Sequence, residues 1–330
     1  MTYKYDNVYI RDVATIVGKY EGNGPLGKYF DKVYDKDLYF GKKSFEKAEV
    51  KLSIDGVKLL LKKCNYKDSD VDLLISGDLE NQLAASDYMA RSFNIPFLGV
   101  YSACASSSAG IIIGASFIDS GKIDNCICNV TSHNTAAEKQ FRNPVEYGTP
   151  KPKTATFTTT GSACIMLSNI KGKVKVESST IGRVCDAEVK DANNMGAVMA
   201  IAACDTIYKH LTSLNRESSY YDLIVTGDLG VYGKKILLDY MKEYYKMDIS
   251  SNYDDCGSMI FDVNTQPVLA GGSGPSCSAL VMYGYIMKKM LDGVYKRVLF
   301  VPTGAIFSPT MVFQKESIPS IAHAVSLEVI

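Results

Sequence analysis

The chain has 330 residues, 46% of them hydrophobic, enough for two domains of ordinary size and a core that needs no covalent staples. Lys plus Arg number 36, as do Asp plus Glu, which removes both the basic excess of a nucleic-acid binder and the acidic block of a disordered tail. Nine cysteines, an odd count with no CxxC pair, argue against a secreted disulfide framework and against a zinc site, so no metal is expected and a reducing compartment fits.

Met1-Thr2-Tyr3-Lys4-Tyr5-Asp6 lacks the charged-then-apolar pattern of a signal peptide. An apolar strand through Ala14-Thr15-Ile16-Val17-Gly18 precedes an amphipathic helix, Phe45 to Cys64, and then a strand ending in a Gly-Asp turn, Val71 to Leu79. Ser92 to Ile118 carries no charge, but Gly99, Ser102 and Ser106-Ser107-Ser108 break it into a strand, a turn and a buried helix instead of a membrane span. Val263 to Met287 is likewise uncharged and is broken by Gly271, Gly272, Gly274 and Pro275.

Four segments recur in the same order. Ala14 to Lys19 resembles Ser179 to Arg183, Val71 to Leu79 resembles Tyr221 to Leu229, the two uncharged stretches correspond, and Asp119-Ser120-Gly121 through Ser132 resembles Leu291-Asp292-Gly293 through Gly304. The chain therefore reads as a duplication that meets near Lys171-Gly172-Lys173, with halves 1–172 and 173–330. Each half alternates strands and helices, which predicts α/β layers. A helix without charge must be covered on every side, and two in equivalent positions can cover one another between two sheets.

Cys104 sits where an apolar strand runs through small residues, Ser102-Ala103-Cys104-Ala105-Ser106, into the first uncharged helix. A helix start lowers a thiol's pKa and offers N–H groups to an anion, so both a nucleophile and a ligand site are open readings; a buried small hydrophobe is the plain alternative. Acyl transfer also needs a base, and the chain has three histidines. His210, among the polar residues Tyr208, Lys209 and Thr212, is expected at the surface, whereas His133 and His323 stand at strand ends that commonly border a cleft.

Ser-Ala-Cys-Ala-Ser-Ser before a buried helix, inside a duplicated α/β chain, resembles the thiolase superfamily. The closer resemblance is to a family of stage V sporulation proteins within it. It runs through Gly24-Pro25-Leu26-Gly27, Gly77 to Gln82, Thr131 to Arg142, Asp255-Cys256-Gly257, Ala270 to Gly274, and Gln314 to His323. The resemblance implies a duplicated thiolase-like fold, layered α-β-α-β-α. It implies binding of dipicolinic acid, or its calcium complex, for uptake into the developing spore together with stage V sporulation A membrane proteins. A homodimer, peripheral at the inner spore membrane, is also implied.

Where thiolases carry Gly-His-Pro this chain has Gly272-Ser273-Gly274, and where initiating ketoacyl synthases carry a His-Gln-Ala-Asn turn it has Gly227-Asp228-Leu229-Gly230. Both substitutions remove an imidazole, so no catalytic residue and no cofactor are expected. The expected ligand-binding residues are Cys104, His133, Arg142, Ser273 and His323, with Lys315 and Arg183 as alternative cations. The alternative is an acyltransferase or ketoacyl synthase with Cys104 as nucleophile and His323 as substitute base. A scaffold for membrane partners is the third reading.

Overall fold

The computed structural model of the chain describes residues 1–141 and 150–330. Its main sheet is built from ten strands: β1 Tyr9–Val17, β2 Leu73–Gly77, β3 Phe97–Gly99, β4 Asn125–Ser132, β5 Gly161–Ser168, β6 Val174–Thr180, β7 Leu223–Thr226, β8 Tyr253–Asp255, β9 Arg297–Val301 and β10 Ala324–Val329. Two short strands, Thr2–Lys4 and Lys32–Val33, extend it. The spatial order is β8-β7-β9-β10-β6-β1-β5-β4-β2-β3. The first five strands by sequence lie in the order β3-β2-β4-β5-β1, and the last five repeat it as β8-β7-β9-β10-β6.

Strand directions repeat as well. β2 is parallel to β3 and β4, and β5 is antiparallel to β4 and β1; β7 is parallel to β8 and β9, and β10 is antiparallel to β9 and β6. The two sets join through β1 and β6, where only Tyr9↔Lys175 and Ile10↔Val174 pair. A short seam lets the sheet turn, so that both sets face one helical layer.

Alternation along the strands assigns the layers. In β2, Ile75 joins the central core while Leu74 packs to the outside; in β9, Val298 and Phe300 face inward while Leu299 and Val301 face outward. The outer cover of the first half is α1, Phe45–Cys64, as the sequence predicts. Ser44 caps it by accepting the Lys47 N–H, and Asn65 ends it in the left-handed region at φ 55°. Helices α4, Met195–Ser213, and α5, Gly230–Glu243, cover the second half.

Between the sheets lie α2, Ser106–Asp119, and the second uncharged segment, which forms α6, Pro275–Leu280, and a π-helical turn at Val281–Ile286 before α7, Met287–Leu291, where Lys288 and Lys289 bring charge back. Ile111, Ala115, Leu280, Val281 and Met282 are fully buried there, each large side chain contributing about 1.5–3 kcal/mol. These two segments are the layer that the absence of charge predicts. Among the described residues no helix is long and apolar enough to cross a membrane.

One expectation fails in this part of the molecule. His210 is buried, not at the surface: its Nδ1 lies 2.8 Å from the Thr180 hydroxyl and its Nε2 2.7 Å from the Tyr221 hydroxyl. Both partners are remote or outside its helix, so the polar residues beside it in sequence gave no sign of them. Burial and the Arg216 charge push its pKa down to about 3.

Glu21, in the short helix Lys19–Gly22, is also fully buried. One carboxylate oxygen accepts the Thr160 N–H at 2.8 Å and the other has no partner, and burial pushes the pKa up to about 7. In the unfolded chain the group ionises near 4.5. The folded state thus holds the proton more tightly, and its stability falls as pH rises from about 4.5 to about 7, with no further loss above. Glu21→Gln is expected to flatten that slope and to exceed the wild type at pH 8 by about 1–3 kcal/mol in urea unfolding. An unchanged slope between pH 4.5 and 7 contradicts this.

Candidate functional site

Cys104 lies two residues before α2, in a tight turn where Ser102 and Cys104 form an isolated bridge and Ala103 takes a left-handed φ of 47°. A non-glycine residue in that region is uncommon and costs energy, so the surroundings must hold it. They do so through the Ser106 hydroxyl, which accepts the Ser102 N–H at 3.0 Å and donates to the Ala103 carbonyl at 2.7 Å. From the other half, the strand Thr303–Ala305 packs backbone against backbone, and a Cβ on Gly304 would lie 2.5 Å from the Ser102 carbonyl.

The turn after β7 brings Asp228 to the sulfur. Asp255 builds that turn by accepting the N–H groups of Leu229 (3.0 Å), Gly230 (2.9 Å) and Ser258 (3.1 Å) and the Thr226 hydroxyl at 2.8 Å. Gly230 sits at φ 66° with a virtual Cβ 2.5 Å from the Ala270 carbonyl, so only glycine fits. Asp228 accepts the Thr303 hydroxyl at 2.7 Å and the Gly274 N–H at 3.2 Å, and it stands beside the Cys104 thiol.

These contacts overturn the expectation of an acidic thiol. Burial and the Asp228 carboxylate beside it push the Cys104 thiol well above its ordinary range, and the backbone N–H groups only moderate the rise. Burial likewise raises Asp228 to about 7, with Asp255 adding to it and the Cys104, Thr303 and Gly274 bonds opposing it. The pair is a neutral thiol beside an acid that is poised near neutrality.

Cys104 and Asp228 border a cavity of about 120 Å³. Ser273, Gly274, Tyr101, Glu138 and Lys151 are among its other polar groups, with Thr156, Thr158 and Asn193, and Leu79, Met195, Met199, Phe141 and Phe307 supply apolar wall. Phe141 ends α3, Asn134–Phe141, and meets Phe307 edge to face at 5.3 Å. Lys151 Nζ is 2.6 Å from Glu138 Oε1.

The structure gathers some of the expected residues and disperses others. Cys104 and Ser273 line the cavity. His323 lies behind it, against the same turn: its Nδ1 accepts the Gly182 N–H at 3.1 Å, which leaves Nε2–H to donate to the Ser102 hydroxyl at 3.2 Å. Burial lowers its pKa to about 4, and both ring nitrogens are occupied, so it is not placed as a base for Cys104. His133 is not among the cavity residues. Its Nδ1 accepts the Thr135 N–H and its Nε2 donates to the Leu38 carbonyl at 2.8 Å, with Phe40 and Phe45 packed on the ring.

Arg142 lies outside the described residues. Arg183 is an exposed residue paired with Asp205, and Lys315 is not at the cavity. Asp228 and Lys151 were missed as site residues. The repeated Gly-Asp turn was the available signal for Asp228, read only as a lost base, whereas Lys151 stands in Thr149-Pro150-Lys151-Pro152-Lys153 with no periodicity to mark it.

The sequence profile of the family described as Stage V sporulation protein AD (SpoVAD) matches residues 2–328. Stage V sporulation protein AD of Bacillus subtilis (strain 168) is 43% identical over 321 residues, covering 97% of this chain and 94% of that protein. Among solved structures, a variant of OleA from Xanthomonas campestris superposes with a TM-score of 0.61 at 13% identity, over 98% of this chain and 97% of its own. The 3-oxoacyl-[acyl-carrier-protein] synthase III from Aquifex aeolicus VF5 gives 0.55 at 10% identity, over 97% and 99%. At such identities the likeness shows the fold alone, the duplicated thiolase-like fold.

A raised thiol pKa has a direct chemical consequence. Cys104 is expected to alkylate more slowly with iodoacetamide at pH 7.5 than an ordinary exposed thiol, and Asp228→Asn is expected to speed it by removing the charge that opposes thiolate formation. Peptide mass spectrometry over time measures both. Equal rates in the two proteins contradict the pairing.

Proposed function

This chain belongs to the stage V sporulation protein AD family and so has its role in sporulation, and we propose that it works there as a binding protein for dipicolinic acid, free or as the calcium complex. The observation that supports this reading most is the Cys104–Asp228 pair. An acyl-transfer cysteine needs a base that leaves it anionic, and here burial and the neighbouring Asp228 keep the thiol protonated while each histidine is bonded elsewhere. What remains is a cavity with backbone N–H donors, a thiol and aromatic wall, which suits a small planar carboxylate.

In this reading Cys104 and Ser273 contact the ligand, and His323 holds the Cys104 turn from behind. Stage V sporulation A membrane proteins provide passage across the membrane, and the chain works peripherally at the inner membrane of the forespore. It pairs as a homodimer through β3. That edge strand leaves Leu98 39% and nearby Tyr101 46% exposed, whereas its counterpart β8 has Tyr253 and Asp255 buried. Leu98→Lys is expected to yield monomer in sedimentation equilibrium, and an unaltered mass distribution contradicts that interface.

A second reading, acyl transfer, rests on the backbone N–H groups of Cys104 and Gly274 beside the thiol, the kind of donors that stabilise an oxyanion. Intact-mass measurement after incubation with acyl-CoA separates the two: the binding reading expects no thioester on Cys104, and stoichiometric acylation refutes it.

Calorimetric titration with dipicolinate tests binding itself. A dianion beside Asp228 raises that acid's pKa further, so binding takes up a proton, and affinity is expected to weaken as pH rises through about 7. The calcium complex has no net charge and is expected to lose that dependence. Cys104→Phe fills the cavity and is expected to abolish binding with circular dichroism unchanged. Full affinity in this variant places the ligand elsewhere.

A further inference from the structure

The cavity's charge is uneven. At one end are Cys104 and Gly274, whose backbone N–H groups face the cavity's Cys104 turn, that of Gly274 donating to Asp228 at 3.2 Å; elsewhere on its wall is the Lys151 ammonium, held by Glu138 at 2.6 Å. Both side chains of this ion pair are largely withdrawn from solvent, 25% and 16% exposed, so the pair is screened less than a surface one. Lys151 is the only Lys or Arg lining the cavity among the described residues. An ammonium has three donor hydrogens and a point charge that any well-placed carboxylate can use.

Resting on the reading of this cavity as a dicarboxylate site, we propose that it contains two separate carboxylate subsites, the backbone N–H pair and Lys151, and that Glu138 holds Lys151 in reserve until a ligand carboxylate replaces it. The replacement follows from charge. Glu138 and a ligand carboxylate on the same ammonium repel one another, and Asp228 adds to the negative potential whenever it is ionised. An entering dianion therefore displaces Glu138 from Lys151, while a monocarboxylate satisfied by the N–H pair leaves the ion pair closed. Lys151 thereby becomes the residue that distinguishes a dicarboxylate from a monocarboxylate of the same ring.

The test compares dipicolinate with picolinate, the pyridine that lacks one carboxylate, by calorimetry on the full chain. The wild type is expected to prefer dipicolinate. Lys151→Met is expected to weaken dipicolinate by roughly tenfold to a hundredfold, the scale of one charge-assisted bond, and to leave picolinate nearly unchanged, so that the preference disappears. Glu138→Gln removes the competitor, keeps the shape, and is expected to tighten dipicolinate by roughly fivefold. Wild-type binding that Cys104→Phe abolishes, with the preference intact in Lys151→Met or with weaker binding in Glu138→Gln, overturns the two-subsite arrangement alone. Absence of dipicolinate binding in the wild type overturns the binding function itself.

Discussion

Two helical segments with almost no charged residues must be covered over most of their surface, and that constraint shapes the rest of the molecule. Each half supplies one such segment and one set of five strands, and neither half can cover its own helix alone. Stacking the two sheets around both helices solves the burial problem, and the same act brings the two helix starts together. Ser107 and Ser278 meet across that contact at 3.3 Å, and the hydroxyls of Ser132, Thr159 and Ser276 close the polar remainder at 2.6 Å. The cavity is a by-product of this arrangement. It lies where helix starts, strand ends and the turns after β7 and β9 converge.

The duplication also explains why only one of two equivalent acids has a role at the cavity. Asp78 and Asp228 follow equivalent strands, yet Asp78 spends its oxygens on the N–H groups of Glu80 (2.8 Å) and Ser86 (2.7 Å) and stays a local cap. Asp228 instead reaches Thr303, Gly274 and the thiol of the other half. Burying a carboxyl there costs stability, and the raised pKa is the thermodynamic mark of that cost.

Much of the fold was legible because it rests on patterns that are local or repeated. The 3.6-residue spacing of Ala48, Leu52, Val57 and Leu60 marks α1 to the residue, and the uncharged runs mark the central layer. Cys104 was legible as a junction residue for the same reason, whereas Ser273 was legible only through the resemblance, as the residue in place of a thiolase histidine. The histidines were not, since their environments are set by residues far away: Thr180 and Tyr221 enclose His210, Leu38 takes the His133 proton, and Ser102 takes that of His323. The sign of the Cys104 shift was missed because a helix start argues for a lower pKa, while burial and a carboxylate from the other half, both invisible in the local sequence, argue more strongly the other way.

The central proposal is that the cavity bordered by Cys104 and Asp228 holds a small anion. The most direct measurement is a crystal structure of the protein grown with dipicolinate. The account predicts the planar ligand in the Cys104 cavity, one carboxylate on the N–H groups of Cys104 and Gly274 and the ring against Phe307, with the Cys104 sulfur unmodified. A ligand bound elsewhere on the chain, with the Cys104 cavity unchanged, contradicts it.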